Sequence, residues 1–411
     1  MSKRLYVKEF DMANPFIIAS SPATQGYKSV LKSAKAMPGA IVMRNFGHGA
    51  GGGNYLFPSG TELLKTGEGG ESHAIGATRK DFHDNFEQYL EAVRKVRRDM
   101  SKEIKLWVSI GHFGDLVNPV EWEKKWVNEA KEFELAGADA VEIHFNTPGV
   151  ACARNRVYDF RQAVYQATKI VSKAVKIPVM VKLPTEMTDP LRAMDSAVYG
   201  GAYAVGPTAR WKALTFDLDW KRALPRGGGG YSGSQVLPIA CYTVAEARNQ
   251  GIEIPIFGGG GVYSAEAAMK LIMAGSNIVQ LGSFACSFGP GAVTALMAKF
   301  EKLMIQYGYA DMDSMCGVAA ELINMPAQAS AARVEKLGTA FRECAVEADK
   351  CIGCGRCVDA CWYEGIEMQD KKACKTSECI GCGYCFAVCP TKALNVPIGD
   401  VLTAAYDDAI K

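Results

Sequence analysis

The chain has 411 residues, of which 48% are hydrophobic, and a formal net charge of +2. This composition is sufficient for a large buried core and excludes a global electrostatic preference for nucleic acid or for a membrane surface. The sequence shows no apolar run near the about 20 residues that span a bilayer and no secretory segment in MSKRLYVKEF, so a cytoplasmic protein is predicted.

Short β-branched runs alternate with longer amphipathic stretches from Asn14 to about Gly289, which is typical of βα units on a parallel sheet. We predict strands at 16–20, 40–44, 106–110, 140–144, 179–183, 202–206, 254–258 and 278–282. Helices fill the intervals, for example at 85–100 and 120–136. Eight units in about 270 residues favour a (β/α)8 TIM barrel, since an open doubly wound sheet usually stops at five or six strands.

Two connections that follow predicted strands are too long to be plain turns. They run from Phe46 to about Arg79 and from Pro207 to Gly233, and in a barrel both lie on the face where active sites form. The second is rich in basic residues, set against Asp217 and Asp219: Arg210, Lys212, Lys221, Arg222 and Arg226. This excess suits a carboxylate, phosphate or coenzyme A thioester, and a solvated charged loop is the alternative.

Two cysteine runs follow an alanine-rich stretch that predicts a helical connecting arm. Each run, 351–361 and 379–390, has the C-x2-C-x2-C-x3-C spacing of two-cluster ferredoxins, in which each [4Fe–4S] cluster takes three thiolates from one run and the last from the other. The predicted ligand sets are Cys351, Cys354, Cys357 and Cys389 for one cluster, and Cys379, Cys382, Cys385 and Cys361 for the other. Zinc commonly uses two separated C-x2-C pairs, which leaves the fourth cysteine unexplained.

The predicted domains are the barrel at 1–306, the helical arm at 307–346, a small α+β ferredoxin domain at 347–397 and a C-terminal tail at 398–411. Clusters carry single electrons, whereas organic redox chemistry usually moves a pair, so a flavin is expected between them. Glycines at 258–264 and at Gly282, after the last two predicted strands, indicate its phosphate site.

Five segments of the barrel resemble, in order, the FMN barrel of dihydroorotate and dihydropyrimidine dehydrogenases: NPFIIASSPAT (14–24), VEIHFNTP (141–148), VKL (181–183), GGYSG (229–233) and GGVYS (260–264). With the ferredoxin module behind it, the chain looks most like the C-terminal part of dihydropyrimidine dehydrogenase. The resemblance implies FMN, two [4Fe–4S] clusters and reduction or oxidation of a C–C bond beside a carbonyl.

The resemblance also implies roles for residues of this chain. Lys182 matches the lysine at the flavin pyrimidine edge, and Arg44 stands where the family usually has a second flavin-contacting lysine. The first-strand flavin contacts match Ala19 and Ser20. The ribityl and phosphate contacts match Gly233, Gly260, Gly261, Gly282 and Ser283.

The family's acid–base motif, N-x-S-C-P or N-x-S-S-P, reads H-F-N-T-P in this chain. Thr147 occupies the acid–base position, and His144 replaces an asparagine that binds substrate and flavin. A histidine is better matched to pH 7 than a threonine hydroxyl, so His144 is the preferred proton donor. We predict His112 on the same rim, and Cys152 is a reserve acid.

Three functional hypotheses remain. The leading one is an FMN and iron–sulfur oxidoreductase that reduces or forms an activated C=C bond in an anionic or cyclic small molecule, because Gly206–Pro207–Thr208 lacks the family's pyrimidine-gripping asparagine. The others are dihydropyrimidine dehydrogenase itself and an electron-transfer subunit of a larger complex. No dinucleotide fingerprint is apparent, so electrons are expected from ferredoxin or from an NAD(P)H and FAD subunit, within a homo- or hetero-oligomer.

Overall fold

The computed structural model of the chain describes residues 3–44, 60–66, 71–77, 86–111, 119–145, 160–185, 189–209, 211–216, 223–324 and 344–395. The chain forms two compact units, Met1–Ile323 and Asn324–Lys411. The strands of the first unit are β1 (Phe16–Ile18), β2 (Ala40–Met43), β3 (Gly60–Thr66), β4 (Glu71–Ala77), β5 (Lys105–Ile110), β6 (Ala140–His144), β7 (Val179–Lys182), β8 (Ala204–Gly206), β9 (Trp211–Phe216), β10 (Ala223–Gly233), β11 (Phe257–Gly259) and β12 (Ile278–Leu281).

Eight of these strands form one parallel sheet in the order β11-β12-β1-β2-β5-β6-β7-β8. The sheet closes on itself through a parallel bridge between Val205 of β8 and Ile256, which immediately precedes β11. The Val205 N–H also donates to the Pro255 carbonyl at 3.0 Å. The predicted (β/α)8 barrel is therefore confirmed, with each predicted strand present within about three residues of its expected bounds.

Helices alternate with the barrel strands and cover the outside of the sheet: α1 (Tyr27–Ala34), α2 (Phe86–Asp99), α3 (Pro119–Leu135), α4 (Phe160–Ala174), α5 (Pro190–Tyr199), α6 (Leu237–Asn249), α7 (Ala265–Met273) and α8 (Ser283–Gln306). In α2 the apolar residues Tyr89, Val93 and Val96 recur at helical spacing and are buried. Tyr89 packs edge-on against Phe133 of α3 at 5.7 Å. Each such buried side chain stabilises the fold by about 1.5–3 kcal/mol.

Aromatic rings fill the end of the barrel where the strands begin. The Trp107 ring lies 5.8 Å from that of Phe257, and Phe10 packs against Trp107 at 5.9 Å. Phe10 belongs to an N-terminal 3₁₀ turn, Lys8–Phe10, that lies beside the start of β5, where Lys105 forms an ion pair with Asp11 at 2.8 Å. Because this end is closed by aromatic rings, a ligand site is left to the opposite, carboxyl end of the strands.

The two long connections were predicted as loops, but they contain the strands of a second sheet. β3, β4, β10 and β9 pair antiparallel in that order, so the connection after β2 is joined to the connection after β8. The register shifts between Leu224 and Gly229 in β10, which carries four consecutive glycines. Glycine has low β-propensity, and the pairing is non-local, so the local pattern gave no strand signal.

The described part of the second unit consists of two short helices and two strand pairs: α9 (Arg356–Asp359), α10 (Tyr384–Ala387), β13 (Ala345–Val346) with β16 (Leu394–Asn395), and β14 (Ile366–Gln369) with β15 (Lys372–Lys375). The α+β ferredoxin prediction is therefore confirmed. Its small core includes Cys344, Cys357, Ile366, Cys385 and Leu394. No described helix is long and apolar enough to cross a membrane.

Part of the predicted arm belongs to the first unit. Gly317 and Ala319 donate their N–H groups to the carbonyls of Ile272 and Met273 at 3.0 and 2.8 Å, which ties this segment to α7. A 3₁₀ helix, Ala320–Asn324, follows. Residues 325–343 and the tail at 398–411 lie outside the described residues, so a helix in the rest of the arm stays a prediction.

Candidate active site and iron–sulfur centres

Six polar side chains are buried in the barrel strands or directly after them: Ser109, Glu142, His144, Lys182, Thr208 and Gln280. Strand side chains alternate between faces, so Glu142 and His144 of β6 point the same way. In the sheet register Ser109 is the partner of Glu142, and His144 is the partner of Lys182. The sequence therefore brings a carboxylate, an imidazole and an ammonium group together at the carboxyl end of the barrel.

Lys182 is held in a fixed position, as a cofactor contact requires. Its side chain is buried, with 7% exposure, and Nζ donates to Gln280 Oε1 at 2.5 Å. Gln280 is oriented in turn because its Nε2 donates to the Phe257 carbonyl at 3.3 Å. Burying a charge is costly unless it is paired and hydrogen-bonded, so this lysine does not reach solvent as a surface lysine would.

Glu142 supplies the negative charge next to this lysine. It is fully buried, and its Oε1 lies 3.4 Å from His144 Nδ1. Burial alone would raise the pKa of the Glu142 carboxyl, but the Lys182 charge, His144 and the Ser109 hydroxyl outweigh it and hold that pKa below its ordinary value. The carboxyl is therefore ionised at neutral pH.

Glycines and small residues lie at the ends of β1, β11 and β12, where the phosphate site was predicted. A Cβ on Gly282 would lie 3.9 Å from the Ala19 Cβ, which shows that these two predicted contacts are adjacent. Gly261 has φ +80, and a Cβ there would lie 2.4 Å from the Leu237 backbone nitrogen. Gly233 directly precedes the 3₁₀ turn Ser234–Val236 that leads to Leu237.

The helix after β12 offers free N–H groups at this place. α8 begins at Ser283, and its N-cap, Gly282, has no side chain with which to cap the helix. Gly289, at φ 75, and Pro290 interrupt the helix, so 283–288 form a separate first segment. The first N–H groups of a helix have no intrahelical acceptor and bind phosphate oxygens well. The residues present thus fit the FMN phosphate.

Arg44, the predicted replacement for a flavin-contacting lysine, lies directly after β2. Its Nη1 donates to Gln25 Oε1 at 3.1 Å, and its carbonyl accepts from the Tyr89 hydroxyl at 2.6 Å. Ser20, one residue after Ala19, is half-buried. The guanidinium therefore lies beside Gln25, in the connection between β1 and α1, and a flavin contact by Arg44 stays a prediction.

Two cavities in the described part of the second unit are each lined by one predicted ligand set. One cavity is lined by Cys351, Cys354, Cys357 and Cys389, and the other by Cys361, Cys379, Cys382 and Cys385, with Cys344 beside them. The last cysteine of each run thus faces the other run's cavity, as in two-cluster ferredoxins. No group of three or more histidine, cysteine, aspartate or glutamate side chains in the described residues is arranged to hold a single metal ion.

Backbone groups around both cavities suit thiolates. Ala373 N–H donates to Cys351 Sγ at 3.4 Å, Ala393 N–H to Cys389 Sγ at 3.2 Å, and Gly365 N–H to Cys361 Sγ at 3.2 Å. The N–H groups of Ala373 and Gly353 lower the pKa of the Cys351 thiol. The four glycines that flank the motif cysteines have φ between 70° and 81°: Gly353, Gly355, Gly381 and Gly383. Such hydrogen bonds stabilise cluster thiolates.

Comparisons with known proteins agree with both units. The family model for dihydroorotate dehydrogenase matches residues 4–304. The chain belongs to the dihydroorotate dehydrogenase family. A 4Fe–4S dicluster domain model matches residues 350–393, so the two matched ranges do not overlap. The family is one of oxidoreductases that act on CH–CH groups, so the resemblance stated from the sequence and the prediction of an enzyme are confirmed.

Two known proteins are similar to large parts of this chain. The NAD-dependent dihydropyrimidine dehydrogenase subunit PreA of Escherichia coli is 25% identical over 373 residues, which cover 87% of this chain and 85% of the relative. The catalytic subunit of dihydroorotate dehydrogenase B (NAD(+)) of Methanocaldococcus jannaschii is 26% identical over 275 residues, 66% of this chain and 84% of the relative.

The structure places some of the predicted residues of this dihydroorotate dehydrogenase family member and leaves others open. His112, Thr147 and Cys152 lie outside the described residues, as does Arg210, so His144 is the one candidate proton donor that is placed. Sequence reasoning missed Glu142, Gln280 and Ser109. The signal was present, because V-E-I-H and I-V-Q-L place an ionisable and an amide side chain inside predicted barrel strands.

We expect Lys182→Ala to leave the barrel folded but to lower FMN content or make the flavin harder to reduce, because a buried cation at the pyrimidine edge favours the reduced, more negative flavin. Flavin release and the two-electron midpoint potential of the variant measure this. Lys169→Ala, which removes a lysine from the outer helix α4, is the matched control. Wild-type potential and content in the Lys182 variant would remove Lys182 from the flavin site.

Proposed function

We propose that this chain is an FMN and two-[4Fe–4S] oxidoreductase that reduces an activated C=C bond beside a carbonyl, or forms one in the reverse direction. The observation that carries this proposal is the buried Glu142, His144 and Lys182 group at the carboxyl end of a family barrel. The two four-cysteine cavities support it, because clusters bound there would carry the single electrons that a flavin converts to two-electron chemistry.

When bound, FMN would exchange a hydride with the substrate and single electrons with the clusters. The chain's own residues would do the rest. Lys182 would hold a positive charge beside the flavin, and the glycines after β11 and β12 would bind the phosphate. His144 would donate a proton to the carbon next to the carbonyl. In sum, the C=C bond takes up two electrons and two protons and becomes a CH–CH bond.

The structure favours a substrate other than a pyrimidine. Thr208, the polar residue where the family has an asparagine and a threonine, donates its hydroxyl to the Gly259 carbonyl at 2.5 Å and is buried. Its hydroxyl is therefore committed to the barrel, and Gly206 and Pro207 offer no side-chain amide. We therefore propose an enoate, an enoyl thioester or a cyclic imide with a single anchoring group as the substrate.

A second candidate is dihydropyrimidine dehydrogenase activity, and one observation favours it. A relative that matches 87% of this chain carries that name and is a subunit of an NAD-dependent enzyme. A partner that passes electrons to the clusters is therefore part of our proposal, as ferredoxin or as an NAD(P)H and FAD subunit. The third hypothesis, a relay subunit, predicts that no small molecule reoxidises the reduced flavin.

The test is a screen of the anaerobically reduced holoenzyme against enoates, enoyl thioesters, cyclic imides and pyrimidines. Our proposal predicts that one non-pyrimidine class reoxidises the flavin and gains two hydrogens at its C=C bond, as shown by mass spectrometry. Faster reoxidation by uracil or thymine would establish the second candidate instead. Failure of all four classes, with rapid reoxidation by an acceptor protein, would establish the relay.

We expect about eight irons, eight sulfides and one FMN per chain, because the ligand sets permit two cubanes and the barrel offers one phosphate site. Metal, sulfide and released-flavin analysis of anaerobically purified protein measures this. A value near four irons would mean that one cysteine run has been misassigned. FAD in place of FMN would contradict the assigned phosphate site.

A further inference from the structure

Glu142 is the feature of the barrel interior that the proposed reaction does not itself use. It is fully buried on β6, two residues before His144 and on the same face of the strand. A carboxylate in such a place is costly unless nearby charges and donors compensate it. A residue that serves only to fill the core would be apolar at this position.

The groups around Glu142 show what compensates it. Lys182 of β7 contributes the opposite charge, Ser109 of β5 a hydroxyl, and His144 an imidazole nitrogen 3.4 Å from Oε1. Gln280 of β12 faces the group as a neutral amide bonded to Lys182. The 3.4 Å separation exceeds an ideal hydrogen bond, and catalytic hydrogen bonds are often this long before the reactants are in place.

We propose that Glu142 is a positioning residue that accepts a hydrogen bond from His144 Nδ1–H and thereby makes Nε2 the atom that exchanges the proton with substrate. A neutral imidazole has one protonated nitrogen, and the partner of that nitrogen decides which one it is. Glu142 also balances the Lys182 charge, so the net charge of the three groups changes only with the protonation of His144. This inference rests on the proposed function only in taking the substrate carbon as the group that accepts the proton from His144.

The test is a nuclear magnetic resonance titration of the full holoenzyme labelled with ¹⁵N-histidine. The chain has five histidines. His144→Asn identifies the His144 signals. In the wild-type protein we expect the Nδ1–H tautomer at high pH. In Glu142→Gln, loss of an adjacent negative charge should lower the midpoint of the His144 titration by about one pH unit or more. The alkaline limb of the pH–turnover profile, where His144 loses the proton that it donates, should move in the same direction.

Glu129→Gln is the matched control, because Glu129 is also a buried carboxylate but belongs to the outer helix α3. It should leave the His144 titration unchanged. Glu142→Asp keeps the charge but withdraws it by one methylene, so it should lower the midpoint by less than the glutamine variant does. It also keeps the proposal testable if Glu142→Gln does not fold.

A wild-type His144 tautomer and midpoint in Glu142→Gln, or in Glu142→Asp if only that variant folds, would overturn the inference. An Nε2–H tautomer in the wild-type protein would also overturn it. Both measurements are independent of substrate. If no C=C compound is ever reduced, the proposed function fails while the pairing of Glu142 with His144 can still be established by the titration.

Discussion

His144→Asn is expected to lower turnover by at least about a hundredfold, since a positioned acid typically contributes about a hundredfold to ten-thousandfold in rate. Asparagine restores the residue that the family usually carries at this position and keeps polar atoms in the buried space. It cannot donate a proton near pH 7, however. FMN and iron content should stay at wild-type values, because the change touches neither the phosphate site nor the cysteines. Steady-state turnover with the best substrate of the screen measures the loss.

Thr147→Val is the matched variant, because it removes the hydroxyl at the family's acid–base position with little change of volume. We expect it to cost less than His144→Asn. If Thr147→Val is the more damaging of the two, the hydroxyl is the proton donor, and the family's serine-type mechanism applies to this chain.

Replacement of Cys379 and Cys382 together by alanine is expected to remove one cluster and to abolish turnover driven by a protein electron donor. A cubane needs four thiolates, and of the four ligands predicted for this cluster only Cys361 and Cys385 would remain. Iron should fall from about eight to about four per chain. Turnover driven by a small dye that reduces the flavin directly should persist, because the barrel is unchanged.

Cys374→Ala is the control for this double variant. Cys374 lies on β15 of the same unit but lines neither cavity. Its replacement should leave iron content and donor-driven turnover unchanged. Loss of iron in the Cys374 variant, or about eight irons in the double variant, would contradict the ligand sets.

The barrel could be predicted from the sequence because each βα unit carries its own local pattern. β12, for example, is a short β-branched run, and the helix α8 begins two residues after it. The predicted cluster ligands also follow from a local pattern, because the cysteine spacing within 351–361 and within 379–390 is that of two-cluster ferredoxins. In both cases the information lies within about ten residues of the element concerned.

The second sheet could not be predicted, because β4 pairs with β10, a strand that lies far from it in the sequence, on the other side of most of the barrel's βα units. A segment with four consecutive glycines becomes a strand only through pairing with neighbouring strands, and a local sequence pattern does not reveal that pairing. The same applies to Glu142. Its role becomes visible only when β5 and β7 place Ser109 and Lys182 beside it.

An anaerobic reductive titration, followed by reoxidation, tests the central claim most directly, namely that electrons enter singly at the clusters and leave in pairs at the barrel. We predict an uptake of about four electrons per chain, one for each cluster and two for FMN, with cluster signals in electron paramagnetic resonance. A C=C substrate should then remove the electrons two at a time. Uptake of about two electrons without cluster signals, or reoxidation by protein acceptors alone, would contradict the account.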